Sequence, residues 1–212
     1  MTGRYKIQGN IRFLSHQEAF RVIQRALIRS GVGLLYSQGF NPHPRLSLPL
    51  PKSVGLASED ELFCAQIGCD VSLSSEVYKS ISEQLPEGFS LVEATIHKGR
   101  VSFKPVEAEY IIEMSEQEIK NVSAQIDKLN GLIGAGEKII IERTIDGDGN
   151  VKTVDIGKFL KSFEQVPEGV KIVCLISDSG TIRPDEIIKL LELEPARLGI
   201  SMTRKKVNWQ IN

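Results

Sequence analysis

Tyr5-Lys6-Ile7-Gln8-Gly9-Asn10-Ile11-Arg12-Phe13-Leu14-Ser15-His16-Gln17-Glu18 is the stretch from which the fold is read. Its first nine residues alternate apolar Tyr5, Ile7, Gly9, Ile11 and Phe13 with polar Lys6, Gln8, Asn10 and Arg12. That period of two predicts a strand with one buried and one polar face. Ser15 followed three residues later by Glu18 is a capping box, so a helix starts there. Phe20, Ile23, Ala26 and Leu27 continue at helical spacing until Gly31 or Gly33 stops the element.

Working outward, residues 34–37 read as a short strand. Residues 38–58 form a long irregular stretch holding Pro42, Pro44, Pro49 and Pro51, and loops of that length inside a domain are usually functional. A strand over 61–71, a helix over 75–85 opened by serine caps and a strand over 89–96 follow. The order is β-α-β-β-α-β, the ferredoxin-like unit. The second half reads the same way: strand 108–114, helix 115–133 behind the capping box Ser115 to Glu118, and strand 138–145. A hairpin turn over 146–149, strand 151–156, a short helix near 158–163 and strand 171–177 complete it. Pro86-Glu87-Gly88 and Pro167-Glu168-Gly169 precede the fourth strand of each half, an internal echo. A further helix over 184–193 and a terminal strand over 202–211 close the chain. The expectation is an α+β protein of tandem ferredoxin-like units with an extra C-terminal helix and strand. Residues 1–97 form a basic N-terminal domain and residues 107–212 a second one.

With 212 residues, 41% hydrophobic and 25% charged, the composition is that of a folded globular chain. No apolar run approaches a membrane span and the N-terminus lacks a signal peptide's apolar stretch, so a cytoplasmic address is expected. Cys64, Cys69 and Cys174 form no CxxC pair, and the three histidines show no metal-ligand spacing. Neither a metal nor a cofactor is expected. The net charge of −1 hides an asymmetry. Residues 1–56 carry eight cations (Arg4, Lys6, Arg12, Arg21, Arg25, Arg29, Arg45, Lys52) against the single acid Glu18. Such a block suits a polyanionic partner, either nucleic acid or an acidic protein.

Arg21, Arg25 and Arg29 lie four residues apart, so their guanidinium groups form one stripe on the first helix with no acid at i±4. The polar face of the first strand adds Lys6 and Arg12. That sheet lacks the exposed aromatics of an RNA-recognition motif. In the loop, Gly39 permits positive φ, Pro42 and Pro44 stiffen the chain, and Phe40 is expected to anchor it on the core. The loop then presents Asn41, His43 and Arg45, and it is expected to return toward His16 so that His16, His43 and Arg45 line one cleft. There is no nucleophile elbow, phosphate-binding glycine loop or HExxH motif.

The run Gly9-Asn10-Ile11-Arg12-Phe13-Leu14-Ser15-His16, the arginine helix, and Tyr36-Ser37-Gln38-Gly39-Phe40-Asn41-Pro42-His43-Pro44-Arg45-Leu46-Ser47 together resemble the radical SAM-linked family, also called DUF2344. The match is strongest over residues 4–60. It departs at Gln17-Glu18-Ala19, where the family pattern has a leucine-aspartate pair. The resemblance implies partnership with a radical SAM protein. The chain lacks the Cys-x3-Cys-x2-Cys site such an enzyme needs, so it is not that enzyme. The reading is a non-catalytic accessory module that binds a polyanion, RNA foremost, at Arg12, His16, Arg21, Arg25, Arg29, Asn41, His43 and Arg45. The alternatives are a metal-independent endoribonuclease of the CRISPR repeat-processing type using His16 and His43 as acid and base, and a pure protein-docking module.

Overall fold

The expected first strand stops early. In the computed structural model, which describes residues 1–68, 75–144 and 150–211, β1 covers Thr2–Ile7 and a 3-10 helix follows over Gly9–Phe13. Gly9 takes a φ of +63°, a left-handed conformation that ends the strand and that glycine adopts at little cost. The backbone beyond it is satisfied from the loop instead: Gly55 N donates to Arg12 O at 3.0 Å and Lys52 Nζ donates to Leu14 O at 2.9 Å.

The capping box forms as the sequence predicts. Ser15 Oγ accepts from Glu18 N, and the Glu18 carboxylate accepts from Ser15 N at 2.8 Å, opening α1 (His16–Arg29). Residues 34–37 make only single bridges, Leu34 to Ile67 and Tyr36 to Pro44, because Pro44 has no N–H with which to extend a ladder. β2 (Leu46–Ser47), β3 (Ala57–Ala65), α2 (Ser75–Glu83) and β4 (Phe89–Thr95) complete this part. The strand order is β4-β1-β3 with β2 also paired to β3, all antiparallel. Its core gathers Tyr5, Ile7, Ile23, Leu27, Phe63, Ile81 and Phe89, with Tyr5 stacked on Phe89 at 5.8 Å between centroids. Cys69, the serine expected to cap α2 at position 74 and the turn over 146–149 lie outside the described residues.

The chain divides into two units, Met1–Pro105 together with residues from Arg204 on, and Val106–Thr203. In the second, β5 (Phe103–Glu113) leads to α3 (Glu116–Ala135), again behind a complete capping box at Ser115 and Glu118. β6 (Ile140–Thr144) and β7 (Val151–Asp155) form a separate two-stranded ladder. The helix expected near 158–163 is instead a 3-10 turn over Gly157–Phe159 and a strand, β8 (Leu160–Val166), paired with β9 (Gly169–Leu175). A register shift between Leu160 and Ser162 turns both Leu160 and Phe163 inward, and that spacing of three imitates a helical face. The order in the sheet is β5-β9-β8, so the second unit departs from β-α-β-β-α-β and the chain as a whole is α+β with mostly antiparallel pairing. Both Pro-Glu-Gly steps nonetheless bond to the chain that follows the first strand of their unit, though through different carbonyls. Gln8 N, just past β1, donates to Gly88 O at 2.8 Å and Met114 N, next to the Ser115 cap, to Glu168 O at 3.1 Å. α4 (Pro184–Leu190) and α5 (Arg197–Ser201) follow.

β10 (Met202–Ile211) lies beside β3, and from Arg204 on it belongs to the first unit, not to a domain spanning 107–212. The reason is charge. Arg204, 2% exposed, donates to Glu61 Oε1 at 2.5 Å and to Pro51 O at 3.0 Å. Val207 N donates to Asp60 Oδ2 at 2.8 Å, and Arg4 holds the other oxygen of that carboxylate at 2.7 Å. Replacing Arg204 by alanine leaves Glu61 charged and buried, so urea denaturation of Arg204→Ala is expected to show a loss of about 3–5 kcal/mol. Arg204→Met combined with Glu61→Leu recovers most of that loss. Equal losses in the single and double variants would contradict a desolvated, mutually dependent pair.

Candidate nucleic-acid interface

The two ends of α1 lie toward the two ends of β3: ahead of the helix Arg12 O accepts from Gly55 N, before β3, and after it Gly33 O accepts from Gly68 N, past β3. The Ile7 end of β1 pairs with Ser58 and the Thr2 end with Cys64. His16, at the start of α1, is half-buried at the Ser58 end, where its Nδ1 accepts from Lys52 N at 3.4 Å. That bond fixes the neutral tautomer with its proton on Nε2. Lys52 itself is buried and donates from Nζ to the carbonyls of Arg12, Leu14 and Ser53. Burial pushes its ammonium down to about 8. Lys52 is therefore a pin between the loop and the turn before α1, not part of an exposed cationic surface.

His43 sits at the other end. Ser37 N donates to His43 O at 2.8 Å and His43 N to Ser37 Oγ at 2.9 Å, while Arg45 N donates to Leu35 O at 2.8 Å. Leu35 N and Gln66 N bond to Gln66 O and Arg45 O in turn, tying this small hairpin to the residue just after β3. The nine-residue strand between the two histidines' attachment points is about 25 Å long. The loop does return to the helix start, as its length predicts, but it does so through residues 46–52. Lys52, and not His43, arrives at His16. His16, His43 and Arg45 do not line one cleft. Phe40, expected as a core anchor, is wholly exposed.

Arg21, Arg25 and Arg29 are all exposed, opposite the buried Ala19, Ile23, Ala26 and Leu27. No carboxylate among the described residues lies within ion-pair distance of them. Two other cations of the basic block, Arg4 and Lys52, are committed to the fold, and Arg45 has a neutral partner. Arg4 pairs with Asp60, Lys52 is buried, and Arg45 donates to Gln66 Oε1 at 2.9 Å. Arg12 stands 5.5 Å over the Phe13 ring, its Nε buried without a hydrogen-bond partner. Asn41 and His43 are exposed at the hairpin tip.

Each unit has a shallow cleft among its described residues. One of about 300 Å³ is lined by Gln8–Ile11, Glu87 and Gly88, the other of about 470 Å³ by Glu113, Glu118, Glu168 and Arg197 among others. Carboxylates face both, which disfavours an anion in either. Among the described residues no group of three His, Cys, Asp or Glu side chains is placed to hold a metal ion, and no helix is long and apolar enough to cross a membrane.

Burial holds the pKa of His16 below its ordinary value, so the unfolded chain binds its proton first as pH falls. Stability is thus expected to drop as pH falls below about 6.5. His16→Asn, which keeps an acceptor for Lys52 N, is expected to flatten that acid limb in thermal melts across pH 5–8. An unchanged limb would place the titrating group elsewhere.

A comparison with curated proteins finds no match. The family model described as an uncharacterized protein conserved in bacteria, DUF2344, matches residues 1–184. That span takes in the capped arginine helix, the braced hairpin and both Pro-Glu-Gly steps, and the chain belongs to the DUF2344 family.

Proposed function

We propose that this chain is a non-catalytic accessory module that binds a polyanion, RNA foremost, along α1 and presents it to a separately encoded radical SAM enzyme. The observation that carries the reading is the contrast among the cations of the first unit. Arg4 and Lys52 are spent on structure and Arg45 reaches the amide of Gln66, whereas Arg21, Arg25 and Arg29 are exposed on one helix face whose one acidic neighbour on α1 is Glu18, a turn before Arg21. Guanidinium groups left in that state favour phosphate, which they bind in bidentate fashion. The partnership rests on the resemblance of residues 9–16 and 36–47 to the radical SAM-linked family. The first unit's strand order, with β2 and β1 on opposite sides of β3 and β4 beyond β1, supports a ferredoxin-like reading of that unit alone.

The endoribonuclease alternative needs two groups at one phosphate, within about 3 Å of the reacting atoms. Attachment of His16 and His43 to opposite ends of β3 weighs against that pair.

The test is fluorescence anisotropy with short labelled RNA at several salt concentrations. Replacing Arg21, Arg25 and Arg29 together by glutamine is expected to weaken binding across sequences. The dependence of log K on log salt should flatten by about 2, at ~0.7 for each phosphate that is no longer neutralised on a single strand. Unchanged affinity and slope would refute the stripe as the binding face.

A further inference from the structure

The hairpin over residues 35–45 is braced by six backbone or side-chain bonds and carries a bare aromatic at its tip. Gly39 holds a φ of +124°, which turns the chain outward, and no heavy atom lies within 4 Å of where its Cβ would stand. Phe40 follows, with its ring fully in solvent. A large apolar ring normally gains by burial, and nothing in the fold covers this one although the segment below it is rigidly held. Its neighbours are Gln38, Asn41, Pro42 and His43, all polar apart from the proline. A membrane anchor needs several adjacent apolar side chains; Leu35 and Tyr36 are partly exposed lower on the hairpin, while the tip itself has one ring set among amide and imidazole groups. One flat ring beside hydrogen-bonding side chains matches a nucleobase, which offers a π-face for stacking and polar edges for the amides.

The charge pattern leads to the same place. Arg21, Arg25 and Arg29 climb α1 over about 12 Å toward its C-terminal end, beyond which Gly33 O accepts from Gly68 N at 3.1 Å, two residues from the Gln66 that holds the hairpin. A backbone lying on the arginines is thus led toward the end of the first unit from which the hairpin projects. Resting on the RNA-binding reading above, we infer that Phe40 is a stacking platform for an unpaired base, so that the ligand of this module is single-stranded RNA or an unpaired loop, not intact duplex. Bases inside an A-form duplex already stack on each other and offer no free face to the ring.

The test compares anisotropy titrations of the full chain with a labelled 12-nucleotide single strand and a duplex of the same length. The variants are Phe40→Ala, Phe40→Trp and the triple arginine-to-glutamine protein. Phe40 packs on nothing, so its variants are expected to keep the parent's circular dichroism and melting temperature. Phe40→Ala should weaken single-strand binding by about 5- to 150-fold, the range that follows from removing one stacking ring. Its duplex binding and salt slope should be unchanged, and Phe40→Trp should restore affinity. If Phe40→Ala binds the single strand as the parent does while the triple variant fails, stacking is overturned and the polyanion reading stands. If the parent binds neither RNA, both fall. If Phe40→Ala loses only a protein that co-purifies with the parent, the tip is a protein-binding element and the inference is wrong.

Discussion

The ion pair between Arg204 and Glu61 is the constraint on which the first unit depends. Both side chains are 2% exposed, so neither charge has water to fall back on, and each is tolerable only because the other is there. Arg204 also donates to Pro51 O, and Pro51 is followed by Lys52, whose ammonium takes up the carbonyls of Arg12 and Leu14. One buried cation from the last strand thus fixes β3, and through the loop it fixes the turn that launches α1. In a low-dielectric setting such a set of fully partnered groups acts as a unit.

That arrangement sorts the cations of the first 56 residues by role. Those with a carboxylate or carbonyl in reach build the fold, as Arg4 does with Asp60 and Lys52 does with three carbonyls. Among the described residues the α1 arginines form no ion pair, with Glu18 near Arg21 alone, and all three remain exposed. The loop over 38–58 has two jobs for the same reason. Its first part is hydrogen-bonded onto itself and Gln66 and displays Phe40, while its second part runs back along β3 and ends in the Lys52 pin.

Signals carried by short-range chemistry are legible in the sequence. Ser15 with Glu18, Ser115 with Glu118, the arginine stripe and the terminal strand over 202–211 all appear where local spacing puts them. The expectations fail where tertiary packing overrides the local pattern. The polar run Ser58-Glu59-Asp60 falls before the strand expected to start at Glu61, yet it belongs with Glu61 to the first half of β3, because Arg4, Arg204 and Lys205 supply the opposite charges. The matching cations at 204 and 205 are a usable signal, though only for a reader who already suspects that the two strands are neighbours. A bulge makes Leu160 and Phe163 mimic a helix, and Gly9 ends a strand whose alternation continues in letters alone. Phe40 reads as a core residue because sequence carries hydrophobicity but not the direction of a hairpin tip.

Hydrogen exchange measured by mass spectrometry with and without a single-stranded RNA tests the account most directly, because it maps the bound surface without altering a residue. The account predicts slowed exchange confined to the exposed side of the chain around residues 21–29 and the hairpin over 35–45, with the second unit unchanged. Protection centred on the acidic clefts near Glu87 or Glu168, or none anywhere on the first unit, would contradict it.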